Sequence, residues 1–268
     1  MPGRSTRPSA ETDPPASPVR VQKYLAHWGV GSRREIEGWI RAGRLTLGGV
    51  ALTLGARIEP GVHLLLDGRP LAVPLAASIP LRILLYHKPA GEITTRKDPE
   101  GRPTVFEHLP RLRQGRWIAV GRLDYQSEGL LLFTTHGELA RRLMHPSGGW
   151  IREYRVRLRG RLATVSESAL RRGVDLEDGR ASFDELEALG GEGVNHWYRV
   201  IVHEGRNRLV RRLFESQGLR VNRLIRSRYG PFVLPRNLRS GQLRELGSDE
   251  LSEFEREFFS SGRVPNPR

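Results

Sequence analysis

The stretch whose residue types and spacing could do chemistry is Gly121-Arg122-Leu123-Asp124-Tyr125-Gln126-Ser127-Glu128-Gly129, which joins the apolar segments WIAV and LLLF. A carboxylate leaving the end of a buried strand into a glycine-bounded loop sits on a rigid scaffold with an open tip, a common placement for a working side chain. Asp124 would then attack an electrophile or take up a proton. The competing reading is that Asp124 closes a turn through its own backbone, which Asp does often. Read from the loop alone, the turn is the better supported of the two. The chain has no cysteine, which removes disulfides, thiolate metal ligands and thiol nucleophiles together. His87, His136 and His145 show no metal-ligating pattern, so no metal site is expected.

The loop lies in a unit over 81–260 that mixes strands and helices in no repeating βαβ order, which predicts an α+β fold. Strands are predicted over 83–87, 117–120, 130–134, 153–159, 197–203 and 224–228, and helices over 137–144, 165–173, 208–217 and 249–258. Thr135 with Glu138, and Thr164 with Glu167, read as capping boxes. A smaller unit over 19–70 precedes it. There, a helix bearing Val21, Leu25 and Trp28 stops at Gly29 and Gly31. A second helix opens on a Ser32–Glu35 capping box, carries the stripe Ile36, Trp39 and Ile40, and ends at Gly43. Short strands follow over 45–47, 50–52 and 62–66, with Gly48-Gly49 and Asp67-Gly68 as hairpin turns. Residues 1–18 and 261–268 are expected to be tails and 71–80 a linker. No apolar run approaches the roughly 20 residues of a membrane helix, and the first residues carry no secretory signal. A cytoplasmic location is expected.

A net charge of +14 points to a polyanionic partner, because releasing condensed counterions drives binding to nucleic acid. Lys23, Lys88 and Lys97 are the only lysines, so nearly all of the positive charge is arginine. Guanidinium suits phosphates and base edges, although genome codon bias explains the choice of arginine equally well. A membrane surface is a weaker partner, since no helix sets a bulky apolar face against a lysine-rich one.

The segment RVQKYLAHWGVGSRREIEGWIRAGRLTLGGVALTLGARIEPG is similar along its length to the S-four-type (αL) RNA-binding domain, in the spacing of Gly29, Ser32-Arg33-Arg34, Gly43 and the Gly48-Gly49 turn. That resemblance implies two helices against a small curved sheet, the second helix gripping RNA phosphates. The candidate RNA contacts are Arg33, Arg34, Arg41 and Arg44, with Arg20 and Lys23 from the preceding helix. A solvated helix face is the plainer reading of such a charge run.

GRLDYQSEGLLLFTTHGELARRLMHP resembles the central motif of pseudouridine synthases, in particular the bacterial ribosomal branch that contains RsuA and RluB. The likeness continues in LYHKPAGEITT, with Lys88-Pro89 and Gly91, in REYRVRLRG, and in EGRNRLVRRLFESQGLRVNRLIRSRYGP. It implies a mixed, largely antiparallel catalytic sheet with flanking helices. It implies Asp124 as the nucleophile, Tyr154 as the active-site tyrosine and Arg211 as the basic partner of the Asp. Arg122, Leu123, Arg206, Asn207 and Leu224 are the candidate substrate contacts. Ser127 stands where the family usually has Thr, His87 where Asn is common, and His136 where Asp or Asn is common; none removes a catalytic group.

The reaction so implied breaks the bond between uracil and ribose, rotates the base and rejoins it through ring carbon five. It needs no redox change and no added group, so no cofactor is expected. A guanidinium near Asp124 would favour its charged form and fix its direction. Tyr154 offers a flat face for uracil and a hydroxyl for proton movement. The target nucleotide must be flipped out, at a few kcal/mol of unstacking, and Arg141, Arg142, Arg206, Arg208 and Arg212 are candidates to offset that cost through phosphate contacts. The expected substrate is ribosomal RNA, large-subunit (23S) favoured over small-subunit, free or in an assembly intermediate, acted on by a monomer. A non-catalytic ribosome-assembly factor would keep the fold without needing Asp124. A DNA-binding regulator would suit the charge, but the chain has no helix-turn-helix or zinc signature.

Overall fold

The computed structural model describes residues 17–73 and 79–260. Residues 1–16 of the expected tail at 1–18, the expected tail at 261–268, and 74–78 of the expected linker lie outside the described residues. Two compact units result: residues up to Ile79 together with Arg113–Arg116, and Pro80–Leu112 together with the chain from Trp117 onward. No helix among the described residues is long and apolar enough to cross a membrane.

The first unit contains β1 (Val19–Arg20), α1 (Val21–His27), α2 (Arg33–Arg41), β2 (Leu45–Leu47), β3 (Val50–Ala51), β4 (Arg57–Ile58), β5 (Leu64–Leu66) and β6 (Arg69–Pro70). Helix α2 starts where expected: Ser32 Oγ accepts from the Glu35 amide and Glu35 returns a bond to the Ser32 amide, both at 3.1 Å. Ile36 and Ile40 are buried with Val21 and Leu25 of α1, while Trp39 packs against that cluster partly buried. Strands β3-β2-β5-β6 form a sheet in that order. Its hairpins turn at Gly48-Gly49 and at Asp67-Gly68, all four residues with positive φ, as two-residue turns between twisted strands require. Arg20 lies in β1 at the N-cap of α1 and not on the helix, because its backbone pairs with Arg57.

The second unit contains β7 (Ile83–Lys88), β8 (Ile118–Val120), β9 (Glu128–Thr134), α3 (Gly137–Met144), β10 (Arg152–Arg159), α4 (Thr164–Arg172), β11 (Val174–Leu176), β12 (Gly179–Ala181), β13 (Glu185–Glu192), β14 (Asn195–Val202), α5 (Leu209–Glu215), β15 (Arg220–Tyr229), β16 (Phe232–Val233), β17 (Leu243–Glu245) and α6 (Ser248–Ser260). The main sheet runs β13-β14-β10-β15-β9-β7-β17, with β8 also on β9 and β16 also on β15. All of these pairs are antiparallel except β9 with β15. The unbroken apolar run of β9 is explained by burial on both faces. Leu130 and Leu132 join the core that includes α3 and α6, and Leu131 and Phe133 join the opposite core around Tyr86 and Trp117.

Two expected helix starts differ. Thr135 does not cap α3, because its hydroxyl accepts from the Arg82 amide and donates to the Pro80 carbonyl; the ring of His136 takes the cap by accepting from the Leu139 amide. Thr164 is already inside α4, whose N-cap is Ala163 with no side-chain bond, and Glu167 pairs with Arg171. Strand β13 escaped sequence reading. It is an edge strand with Leu186 as its one buried side chain, so its glycines and glutamates show no alternating apolar face.

Candidate active site

The period-two pattern of β10 sends Arg152, Tyr154, Val156 and Leu158 to one face and Glu153, Arg155, Arg157 and Arg159 to the other. Neighbouring β15 sends Leu224 and Arg226 inward, so two strands each bring an arginine into a buried row. Arg152 and Arg226 approach the ring of Tyr229 at 5.0 and 4.9 Å. Above this row opens a cavity of about 860 Å³, lined by Asp124, Tyr154, Arg152, Arg226 and Leu224 and, from the 203–210 segment, Arg206, Asn207 and Arg208. Arg122, Leu123, Thr94 and Arg96 close another side.

The Asp124 loop is held by its own backbone. The Arg122 carbonyl accepts from Arg226 Nη1 at 3.4 Å, that of Leu123 from the Thr94 hydroxyl at 2.9 Å, and that of Asp124 from the Ser127 amide at 2.9 Å. The Tyr125 carbonyl accepts from the Gly91 amide at 2.8 Å, that of Gln126 from Arg211 Nη2 at 3.2 Å, and that of Ser127 from Lys88 Nζ at 2.8 Å. Every carbonyl from 122 to 127 is therefore taken, three of them by buried cations. The turn closes through the Asp124 main chain, and the half-buried carboxylate accepts no hydrogen bond from the described residues. The turn therefore does not consume the side chain.

Arg211 is placed differently from the expectation. Its guanidinium makes no direct ion pair with Asp124; besides the Gln126 carbonyl it donates to the Val221 carbonyl at 3.0 Å. Burial and the neighbouring Arg208 charge pull its pKa below the usual guanidinium range, while the charge of Asp124 pushes it back up. The two residues are thus coupled through space, with Arg211 gripping the loop from behind. Lys88 is fully buried and donates to the Pro89 and Ser127 carbonyls. Burial lowers its pKa to about 8, opposed by the charges of Glu92, Asp124 and Glu128.

Of the other expected residues, Tyr154 is half-buried, lines the cavity and packs its ring against two cores. Arg122, Leu123, Asn207 and Leu224 also line the cavity. Arg206 lines it too, but its guanidinium is spent on Glu204 and on Asp178 and the carbonyls of the β11–β12 hairpin. Arg212 likewise pairs with Asp178, and Arg141 and Arg142 with Glu138. In the first unit, Arg20, Lys23, Arg33 and Arg34 are exposed, whereas Arg44 pairs with Asp67 at 2.5 Å and Arg41 with Glu37 at 3.8 Å. Sequence reasoning missed Arg152 and Arg226. The signal was present, since each is a charge on the apolar phase of its strand.

An α+β unit with a carboxylate held bare at the wall of a cation-backed cavity is carried in one chain with a small helical-and-strand unit. The chain belongs to the RNA pseudouridylate synthase family, whose profile matches residues 82–216, and an S4 domain profile matches residues 19–64. It is similar to the Ribosomal large subunit pseudouridine synthase B of Pseudomonas aeruginosa, 53% identical over 233 residues, or 87% of this chain and 60% of that protein. It is also similar to the protein of the same name from Salmonella typhi, 56% identical over 232 residues, or 85% of this chain and 79% of that one. A crystal structure of a pseudouridylate synthase shares the fold at a TM-score of 0.61 and 24% identity, covering 87% of this chain and 98% of that one.

Proposed function

We propose that this chain isomerises uridine to pseudouridine in ribosomal RNA, with the large-subunit (23S) RNA as substrate. The observation that carries the reading is the Asp124 carboxylate, free of internal hydrogen bonds at the wall of an open cavity while the loop beneath it is held at six consecutive carbonyls. A nucleophile needs its lone pairs free and its position fixed, and this loop provides both. The names of the relatives at 53% and 56% identity favour the large-subunit RNA.

Asp124 attacks the everted nucleotide and releases uracil from its ribose link. Uracil turns in the cavity and bonds again through ring carbon five; the bond to Asp124 breaks, carbon five gives up its proton and ring nitrogen one gains one. Tyr154 supplies the face against which the base turns. Arg211 and Lys88 act through the loop, as positioning residues, and Leu224 packs beneath. Residues 19–70 serve as the RNA-binding domain and 81–260 as the catalytic one, working as a cytoplasmic monomer on free rRNA or an assembly intermediate. Arg20, Lys23, Arg33 and Arg34, exposed and outside any ion pair among the described residues, are cations available for phosphates.

Tritium at carbon five of uridine tests the reading directly. Wild-type protein releases tritium from labelled large-subunit rRNA, and Asp124→Asn releases essentially none at equal RNA affinity. An Asp124→Asn variant with full release would remove Asp124 from the chemistry. A wild type that binds but never releases tritium would leave the assembly-factor reading in its place.

A further inference from the structure

A second cavity of about 500 Å³ adjoins the first and is lined by Gln126, Arg208, Arg211, Glu215, Arg220, Val221 and Asn222. Three guanidinium groups face it against one carboxylate, and the remaining polar side chains are neutral amides. Arg208 lines both cavities, so the two share a wall. That residue adopts a left-handed backbone, φ 48°, which side-chain-bearing residues rarely adopt. Glu215 is engaged with Arg208 at 3.5 Å, and among the described residues neither Arg211 nor Arg220 makes an ion pair.

Arg211 supplies an independent sign of a ligand. It is buried, its two Nη groups are spent on the Val221 and Gln126 carbonyls, and its Nε has no hydrogen-bond partner. A buried guanidinium with no ion pair of its own is expensive, and an anion in the cavity it lines would offset its charge. Arg220 is exposed at the same cavity, opposite Arg159 across the β10–β15 pair, so the positive surface continues outward along the sheet.

We propose that this second cavity is a phosphate subsite for the RNA strand adjoining the everted nucleotide, with Arg211 at its floor and Arg220 at its mouth. The proposal rests on the RNA-isomerase reading for its ligand. A nucleotide held in the main cavity carries a phosphodiester on either side of its ribose, and the shared wall at Arg208 offers one of them a path into the second cavity. Guanidinium forks match phosphate oxygens in pairs, and Gln126 belongs to the Asp124 loop. Occupying the subsite therefore touches the catalytic loop at the residue whose carbonyl Arg211 already holds.

The test uses the full-length protein and fragments of large-subunit ribosomal RNA randomly ethylated at their phosphates. Wild-type binding should show interference at a phosphate beside the modified uridine, and Arg220→Ala should lose that one position. In the tritium assay Arg220→Ala should raise KM roughly five- to tenfold at unchanged kcat, and should lower the salt slope of binding by about 0.7–0.9, one phosphate contact. Arg220→Lys should keep most of the slope and Arg220→Glu should weaken binding further. Unaltered interference and salt slope in both Arg220→Ala and Arg220→Glu would overturn the subsite. Binding and interference are read without turnover, so a wild type that releases no tritium would defeat the isomerase reading and leave the subsite still to be judged by these two measurements.

Discussion

The main chain of Arg226 passes so close to Gly129 that a Cβ on the glycine would lie 2.3 Å from the Arg226 carbonyl oxygen and 2.6 Å from its amide nitrogen. This contact is the parallel join of β9 to β15, where Arg226 and Gly129 are register partners. It sets the exit of the Asp124 loop directly against the strand whose inward arginine supports the loop. From there Arg226 Nε reaches the Leu130 carbonyl at 2.8 Å and Nη1 the Arg122 carbonyl, so one guanidinium ties the strand after the loop to the residue before it.

Gly129→Ala should therefore be poorly tolerated. The new methyl meets backbone, which cannot move aside cheaply, and φ at this position is +101°. A loss of at least about 2 kcal/mol in urea unfolding is expected. An alanine variant as stable as wild type would mean that the strands do not join as described.

Arg226→Lys keeps the charge, but one ammonium on a single stem cannot reproduce the fork that reaches two carbonyls. The loop should lose its fixed position. We expect kcat to fall tenfold to about a hundredfold with RNA affinity unchanged. Turnover at the wild-type rate would show that Arg226 is not needed to hold Asp124 in place.

Lys88 gives a dependence on pH whose sign follows from burial. Its folded pKa, about 8, is below the ordinary 10.5, so between those values the unfolded chain binds more protons at this site than the folded one. Stability contributed by this group accordingly rises with pH across that window and is smallest below it. The unfolding free energy of wild type relative to Lys88→Met should move in favour of wild type between about pH 7.5 and about pH 10. A flat difference would place the Lys88 titration elsewhere.

Tyr154 separates packing from chemistry. Its hydroxyl makes no hydrogen bond with the described residues, whereas its ring touches two cores. Tyr154→Phe should unfold within about 0.5 kcal/mol of wild type, and Tyr154→Ala should lose roughly 3 kcal/mol. If the hydroxyl moves a proton during the reaction, Tyr154→Phe lowers kcat alone. Strong destabilisation by Phe would reveal an interior bond to the hydroxyl.

Much of this protein is local and therefore visible in one dimension. The Ser32–Glu35 capping box, the glycine hairpins and the doubly buried run of β9 each depend on residues a few positions apart, and their patterns name them. The likeness of the Asp124 loop to a known motif likewise marked the acid before any fold was seen. Other features were out of reach because they join distant segments. Whether the turn consumed the Asp124 carboxylate depended on donors from 88, 91, 94, 211 and 226 meeting one loop. The approach of Arg211 to a carbonyl and not to the acid was decided in the same way, by the packing of α5 against β15. Hydrogen bonds along a helix or turn are written in the order of residues, but a parallel strand pair and a buried cation are placed by packing, and only the folded chain specifies that.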